Sequence, residues 1–156
     1  MTYAFDTSAF SALFKNFYRR RFPSLWGQYD ELVDEGRIVS TREVFREIDD
    51  SSIESLRDWA TANRSIFTTP VADEGTFVAR IYTVPHFQQN IELQKILKGG
   101  KNADPFIIAK AVVSGATVVT MEVLRPNASR IPNICDHFGI PCLTLEGFME
   151  EEGWEF

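Results

Sequence analysis

The sequence has few of the residues that support thiol or imidazole chemistry. Its 156 residues include two cysteines and two histidines, with no CxxC pattern and no metal-type histidine beside a cysteine. Cys135 and Cys142 are therefore interpreted as buried free thiols, which favours a cytoplasmic location. His86 and His137 have no obvious partner in the sequence. A structural role is the simpler interpretation of His137, and a general base is the alternative.

Long apolar runs are also missing. No stretch of about 18 apolar residues is present, so no segment is predicted to span a bilayer. The N-terminal MTYAFDTSAF contains no basic region ahead of Asp6 and is not expected to be a signal peptide. A chain of 156 residues can bury about two-thirds of its unfolded surface, so we expect a single domain over residues 1–156.

Positive charge is the third shortage. The chain has 16 lysines and arginines against 22 aspartates and glutamates, which gives a net charge of −6. Because nucleic-acid-binding proteins usually present a basic surface, this balance weakens that class without removing it. The basic residues are clustered, however: three consecutive arginines occupy positions 19–21, and three lysines precede Asp104. The local field can therefore differ in sign from the total charge.

The chain does contain an alternation of strand and helix patterns. Short apolar runs predict strands, and apolar residues spaced by three and four predict helices between them. The predicted strands cover residues 3–5, 37–40, 118–120 and 140–145. This alternation indicates an α/β fold, a three-layer sandwich around a mostly parallel sheet of about four to five strands.

Four acidic residues stand close to the boundaries of predicted elements. Asp6 follows the first strand, Glu47 lies in the third helix, Asp104 opens the ADPFIIAKA helix, and Glu122 follows strand 118–120. Ligand sites in open α/β sheets form at the carboxyl ends of the strands. Like charges that come together raise one another's pKa unless a cation neutralises them. A divalent metal is therefore the simplest reason for the four acids to converge.

Each acid also has a local explanation. Asp104, directly before Pro105, is predicted to be an N-cap with proline at the first helical position, a role compatible with metal binding. Ser40 and Glu43 predict a capping box, which sets Glu43 aside and makes Glu47 the candidate ligand. The remaining acids could likewise be a helix cap or solvated surface charges.

Taken together, these segments resemble the PIN domain nucleases. The matching pieces are the opening YAFDTSAF, the helix VFREI, the ADPFIIAKA helix and the VVTME that ends a strand, and they extend over nearly the whole chain. The ADPFIIA segment is similar to a PIN-like group that is usually paired with an antitoxin. The resemblance implies a parallel sheet whose acids gather at one end and bind Mg²⁺ or Mn²⁺.

By this resemblance, Asp6, Glu47 and Asp104 take the core ligand positions. Glu122 stands where the family more often has aspartate. Its extra methylene displaces the carboxylate, so this departure concerns a second metal position. Ser8 and Thr120 match the family's hydroxyl positions beside the acids, where they could orient a carboxylate or a water.

The residue types suit hydrolysis by a metal-activated water. Mg²⁺ and Mn²⁺ prefer oxygen ligands, and a metal-bound water makes a nucleophilic side chain unnecessary. The resemblance implies an endoribonuclease that leaves a 5′-phosphate and a 3′-hydroxyl. The candidate phosphate contacts are Lys98, Lys101 and Arg125. The arginines at 19–21 are either a further contact or a solvated face.

A toxin of this kind would have an antitoxin as its partner. A segment of the antitoxin would lie across the acidic cleft. The aromatic stripe from Phe10 to Phe17, or Trp154 and Phe156, could serve the antitoxin or a homodimer. Burial in the core is the simpler interpretation of the stripe.

Two other functions stay open. The first is a PIN-like scaffold that binds RNA or a protein after losing its metal site, which Glu122 weakly favours and the three other acids oppose. The second is a haloacid dehalogenase type phosphohydrolase with its nucleophile in FDTSAF. That class expects a second aspartate two positions after the first, where this chain has Ser8. Because such an enzyme forms a phospho-aspartate, trapping that intermediate separates it from a PIN nuclease.

Overall fold

A parallel sheet forms the centre of the computed structural model, which describes residues 1–97, 99 and 101–156. Over these residues the sheet has five strands in the order β3-β2-β1-β4-β5, and every pairing is parallel. The strands are β1 (Tyr3–Phe5), β2 (Ile38–Thr41), β3 (Phe67–Thr68), β4 (Thr117–Val119) and β5 (Cys142–Leu143). The predicted α/β class with a mostly parallel sheet is confirmed.

Helices connect the strands because a parallel pair cannot be joined by a tight turn. They flank the sheet as a three-layer sandwich, and within the described residues none is long and apolar enough to cross a membrane. The helices are α1 (Thr7–Asn16), α2 (Pro23–Asp34), α3 (Arg42–Asp49), α4 (Glu54–Ala62), α5 (Ala72–Ile81), α6 (Gln89–Leu97), α7 (Asp104–Ser114), α8 (Ile131–Phe138) and α9 (Leu145–Glu151). Short 3₁₀ segments cover Arg64–Ile66 and Pro85–Gln88.

The core is rich in aromatic side chains. Phe5 of β1 contacts Phe10 of α1 and Phe148 of α9, with ring centroids 5.3 Å and 5.1 Å apart. Phe10 also lies 5.4 Å from Trp59 of α4. Phe10 and Phe14 are buried, so the stripe on α1 belongs to the core and fixes this helix directly above the end of β1.

The predicted N-cap role of Asp104 is wrong. The helix α7 begins at Asp104 itself, Ala103 occupies the N-cap position, and Pro105 is therefore the second helical residue. The Asp104 carboxylate is turned toward α6, where it accepts hydrogen bonds from Asn90 and Gln94. A tertiary contact thus takes the side chain that the local pattern assigned to the backbone.

The predicted capping box in α3 is also wrong. Thr41 occupies the N-cap position, so Ser40 lies one residue too early, and its Oγ instead donates to the Phe5 carbonyl across β1 and β2. Glu43 forms ion pairs with Arg42 and Arg46.

Candidate functional site

The carboxyl ends of the two central strands carry the first predicted site residues. Phe5 of β1 is in register with Val119 of β4, and the Asp6 amide donates to the Val119 carbonyl over 3.0 Å. Asp6 and Thr120 are the next residues on these strands. The side chain of Asp6 also caps α1, one of the roles predicted for it, by accepting from the Ala9 amide at 2.8 Å.

Asp6 is 5% exposed and is surrounded by neutral hydrogen-bond donors. Thr120 Oγ1 donates to its Oδ2 over 2.6 Å, and Ser8 Oγ lies 2.8 Å and 2.9 Å from its two oxygens. Burial raises the pKa of Asp6 to about 6 against the lowering effect of these hydrogen bonds, and the charge of Asp104 raises it further. The hydroxyl roles predicted for Ser8 and Thr120 thus correspond to direct contacts with Asp6.

Glu47 connects the Asp6 and Asp104 segments of the chain. This carboxylate is 9% exposed, accepts from Thr7 Oγ1 at 2.6 Å and accepts from the Ala103 amide at 3.3 Å. Thr7 directly follows Asp6, and Ala103 directly precedes Asp104. The first turn of α1, the middle of α3 and the start of α7 therefore meet at one place.

Asp104 is 3% exposed and is held by two amides that sequence reasoning missed. Its Oδ2 accepts from Asn90 Nδ2 at 3.0 Å and from Gln94 Nε2 at 3.1 Å. Both amides lie on α6, one turn apart. The only signal in the sequence was a pair of polar residues at helical spacing, which is more typical of a solvated face.

Glu122 contacts both the environment of Asp6 and the helix α8. Its backbone amide donates to Thr120 Oγ1 at 3.1 Å, which ties it to the Asp6 environment. Its Oε2 accepts from the amide of Ile131, the first residue of α8, at 2.9 Å. The glutamate side chain therefore reaches the start of α8.

The basic residues predicted to contact phosphate have different environments. Lys98 lies outside the described residues. Lys101 forms an exposed ion pair with Asp50. Arg125 lines a groove of about 350 Å³ beside Ser8 and Glu122, and Arg130, which the sequence analysis did not select, lines the same groove.

The arginines at 19–21 line a different cavity, of about 410 Å³, between α1, α2 and α4. The Arg19 guanidinium forms an ion pair with Asp30 at 2.7 Å and lies 4.3 Å from the centre of the Trp26 ring. Its surroundings are thus aromatic, and the four candidate acids do not line this cavity.

The two histidines pack near one another, against Phe87. His137 contacts the rings of Phe87 and Phe138 at 5.3 Å and 4.8 Å, and His86 Nε2 lies 3.1 Å from the Ala128 carbonyl. These contacts support the structural interpretation of His137. Cys135 and Cys142 are free thiols, the first buried and the second half-buried.

The donor types at the site fit Mg²⁺ or Mn²⁺ better than a softer metal. Asp6, Glu47 and Asp104 supply buried carboxylate oxygens, and Gln94 Oε1 is buried with no hydrogen-bond partner in the described structure. Among the residues that the structure describes, however, no three His, Cys, Asp or Glu side chains are arranged as a ready metal site. The acids are therefore neighbours whose carboxylates would have to turn toward a common cation.

Fold and site together define a parallel α/β protein with buried acids at the carboxyl edge of its sheet. Residues 3–156 match the family described as a domain of unknown function, DUF4411. The chain belongs to this family. Comparison with curated proteins gives no match. The family description assigns no activity, so the function is argued from the site.

Proposed function

We propose that this protein is a metal-dependent endoribonuclease and the toxin component of a toxin–antitoxin pair. The observation that carries the proposal is the environment of Asp6. This carboxylate is buried, its hydrogen-bond donors within the described residues are neutral, and the charge of Asp104 raises its pKa. Buried like charges of this kind are costly without a cation.

Asp6, Glu47 and Asp104 would hold the cation, with Glu122 at the edge of the site. Bound Mg²⁺ or Mn²⁺ would lower the pKa of a water and neutralise charge on the phosphoryl oxygens. Thr120 and Ser8 orient Asp6 through the hydroxyl contacts at 2.6 Å to 2.9 Å.

The groove beside Ser8 suits the ribose-phosphate backbone of RNA. Arg125 and Arg130 line it, and in the described part of the chain neither guanidinium forms an ion pair with a carboxylate. Guanidinium groups bind phosphate through paired hydrogen bonds. Lys101 is a separate candidate for phosphate binding, because its exposed ion pair with Asp50 is worth little.

The toxin assignment rests on the resemblance to PIN-like proteins that are paired with an antitoxin. Two exposed apolar residues line the groove, Met121 and Val123, which are 44% and 58% exposed, and the next residue, Leu124, is 53% exposed. These three residues form an exposed apolar strip. A segment of the antitoxin that covers this strip would also block the groove. The cytoplasmic location predicted from the cysteines belongs to the same proposal.

One observation favours the alternative of an inactive scaffold. The Glu122 carboxylate holds the Ile131 amide at the start of α8, a structural role. A scaffold would still bind RNA or a protein partner at the groove, but it would not cleave the RNA when metal is added. The haloacid dehalogenase alternative predicts a phospho-aspartate at Asp6, which chemical trapping would detect.

The test is incubation of the purified protein with single-stranded and structured RNA, with Mn²⁺, Mg²⁺ or a chelator, followed by analysis of the new ends. We expect metal-dependent products with a 5′-phosphate and a 3′-hydroxyl. Asp6→Asn, Glu47→Gln and Asp104→Asn should each abolish cleavage, whereas Asp34→Asn, on the exposed end of α2, should not. Unchanged cleavage in any two of the three site variants contradicts the proposal.

A further inference from the structure

The helix α6 buries two carboxamide side chains. Asn90 is fully buried and Gln94 is 3% exposed, one turn further along the same face. Amide groups are costly to bury unless their hydrogen-bonding groups are satisfied, and a leucine would pack against neighbouring helices without that cost. Packing alone therefore does not explain why α6 has two amide side chains at these buried positions.

The two amides converge on a single atom. Asn90 Nδ2 and Gln94 Nε2 lie 3.0 Å and 3.1 Å from Asp104 Oδ2. Two donors on one oxygen fix the rotation of the carboxylate about its last bond. The two donors are neutral amides, so they add no positive charge of their own to the site.

A second set of contacts fixes Asn90 itself. Its Nδ2 also donates to the Ser129 carbonyl at 3.1 Å, and its Oδ1 accepts from Asn102 Nδ2 at 3.0 Å. Asn102 Nδ2 also donates to the Tyr82 hydroxyl at 2.8 Å. Because Nδ2 faces two acceptors and Oδ1 faces a donor, only one orientation of the Asn90 amide satisfies its surroundings. The network thus connects Asp104 to α6, to the residue that follows α5 and to the loop that precedes α8.

We propose that Asn90 and Gln94 are positioning residues that hold the Asp104 carboxylate in a fixed orientation for a divalent cation. This inference rests on the proposed function, because it deepens the description of the same site. Gln94 Oε1, buried and without a hydrogen-bond partner in the described structure, can accept a hydrogen bond from a water molecule that the cation holds. Partners of metal ligands commonly affect metal affinity by about 10-fold to 100-fold.

The first test measures Mn²⁺ binding directly, by electron paramagnetic resonance of unbound Mn²⁺ in the presence of the full-length protein. Gln94→Met keeps the length of the side chain and removes the donor. We expect it to weaken Mn²⁺ binding about tenfold while leaving the melting temperature unchanged or raised. Gln89→Met, an exposed glutamine on the same helix, is the matched control and should bind Mn²⁺ like the wild type.

A second variant replaces a donor by a charge. Asn90→Asp places a carboxylate against Asp104 Oδ2 with nearly unchanged shape, so Mn²⁺ binding should fall further than in Gln94→Met. A lower melting temperature with unchanged Mn²⁺ affinity in both variants would mean that the amides only support the fold, and would overturn the inference. Wild-type protein that does not bind Mn²⁺ would overturn it as well.

The outcome for the amides is separable from the outcome for the nuclease. If the wild type binds Mn²⁺ and Gln94→Met weakens that binding, but neither protein cleaves RNA, the positioning role stands and the proposed function fails. If the wild type cleaves RNA and Gln94→Met requires no more Mn²⁺ than the wild type does, the function stands and the positioning role fails.

Discussion

The two ends of the sheet surround a carboxylate in opposite ways, with Glu152 half-buried at one end and Asp6 buried at the other. At the amino end, Glu152 accepts from the Tyr3 hydroxyl and pairs with the Arg37 guanidinium at 2.8 Å. At the carboxyl end, Asp6 is held by hydroxyl and amide donors, and the nearby charge is that of Asp104. An acid matched by a cation fastens α9 to the sheet. Asp6 has only neutral donors among the described residues, which is the environment that we propose for a cation ligand.

Burial shifts pKa values at both ends, with different consequences. At the amino end, burial and the hydrogen bond to Glu152 raise the pKa of Tyr3 well above its usual value, so Tyr3 remains a proton donor. At the carboxyl end, burial raises the pKa of Asp6 to about 6, close to neutrality. The ionisation of Asp6 is therefore sensitive to pH in the range in which perturbed acids of functional sites titrate.

The largest expected effect is a difference in RNA cleavage between variants at the two ends of the sheet. Asp6→Asn should lower metal-dependent RNA cleavage by more than about a hundredfold, because it removes a charged ligand of the proposed cation. Glu152→Gln should leave cleavage within about twofold, because Glu152 lies at the other end of the sheet. Rates with labelled RNA at saturating Mn²⁺ test both. Similar losses of cleavage in the two variants would mean that the two ends of the sheet do not differ in function.

The next effect is the pH dependence of stability in the absence of metal. A pKa raised from its usual 3.8 to about 6 favours the protonated, folded form. The contribution of Asp6 to the free energy of unfolding is thus fully present below about pH 4. It is lost as the pH rises through about 6, a change of about 3 kcal/mol. Chemical denaturation of wild type and Asp6→Asn isolates it, because the variant cannot titrate there. If the difference in the free energy of unfolding between the two proteins stays constant from pH 4 to pH 7, the pKa of Asp6 is not raised in the folded protein.

A smaller effect concerns the amino end. Glu152→Gln removes the negative charge of the carboxylate that Arg37 and Tyr3 both contact. The free energy of unfolding should therefore fall by about 1–2 kcal/mol. Asp30→Asn, which breaks an exposed ion pair with Arg19, is the matched control and should cost less than about 1 kcal/mol. Denaturation at pH 7 compares them. Equal losses would place Glu152 among ordinary surface ion pairs.

The smallest effect sharpens the description of the groove. Arg130→Gln should weaken the binding of single-stranded RNA to the inactive Asp6→Asn protein by a few-fold and reduce the salt dependence by about one charge. Arg20→Gln, in the separate aromatic cavity, is the control. Fluorescence anisotropy over a range of salt concentrations measures both slopes. A larger change with Arg20→Gln would move the RNA contact to that cavity.

Much of the framework could be predicted from local patterns. Apolar runs ending at Asp6 and at Thr120 correctly indicated β1 and β4, because buried parallel strands are continuous in their apolar character. The strand β3, Phe67–Thr68, was not predicted, since two residues show no periodicity. Its position depends on pairing with β2, a contact that local sequence does not encode.

The candidate site shows the same limit in its side chains. Ser8 and Thr120 were found because they match hydroxyl positions of the PIN family beside the acids, and both contact Asp6. Asn90 and Gln94 were missed because they are 14 and 10 positions from Asp104 along the chain. Asp104 was misassigned as a cap for the same reason, since its carboxylate accepts hydrogen bonds from these two distant side chains and, within the described residues, none from the backbone of its own helix.

The central claim is that the acids at the carboxyl end of the sheet bind a divalent cation, and calorimetric titration with Mn²⁺ tests it most directly. Wild type and Glu152→Gln should bind Mn²⁺ with the same affinity at pH 7, whereas Asp6→Asn and Asp104→Asn should lose the binding heat. Binding by the wild type should also weaken as the pH falls below about 6, where Asp6 becomes protonated. The absence of Mn²⁺ binding in the wild type, or equal binding in Asp6→Asn, would contradict the account.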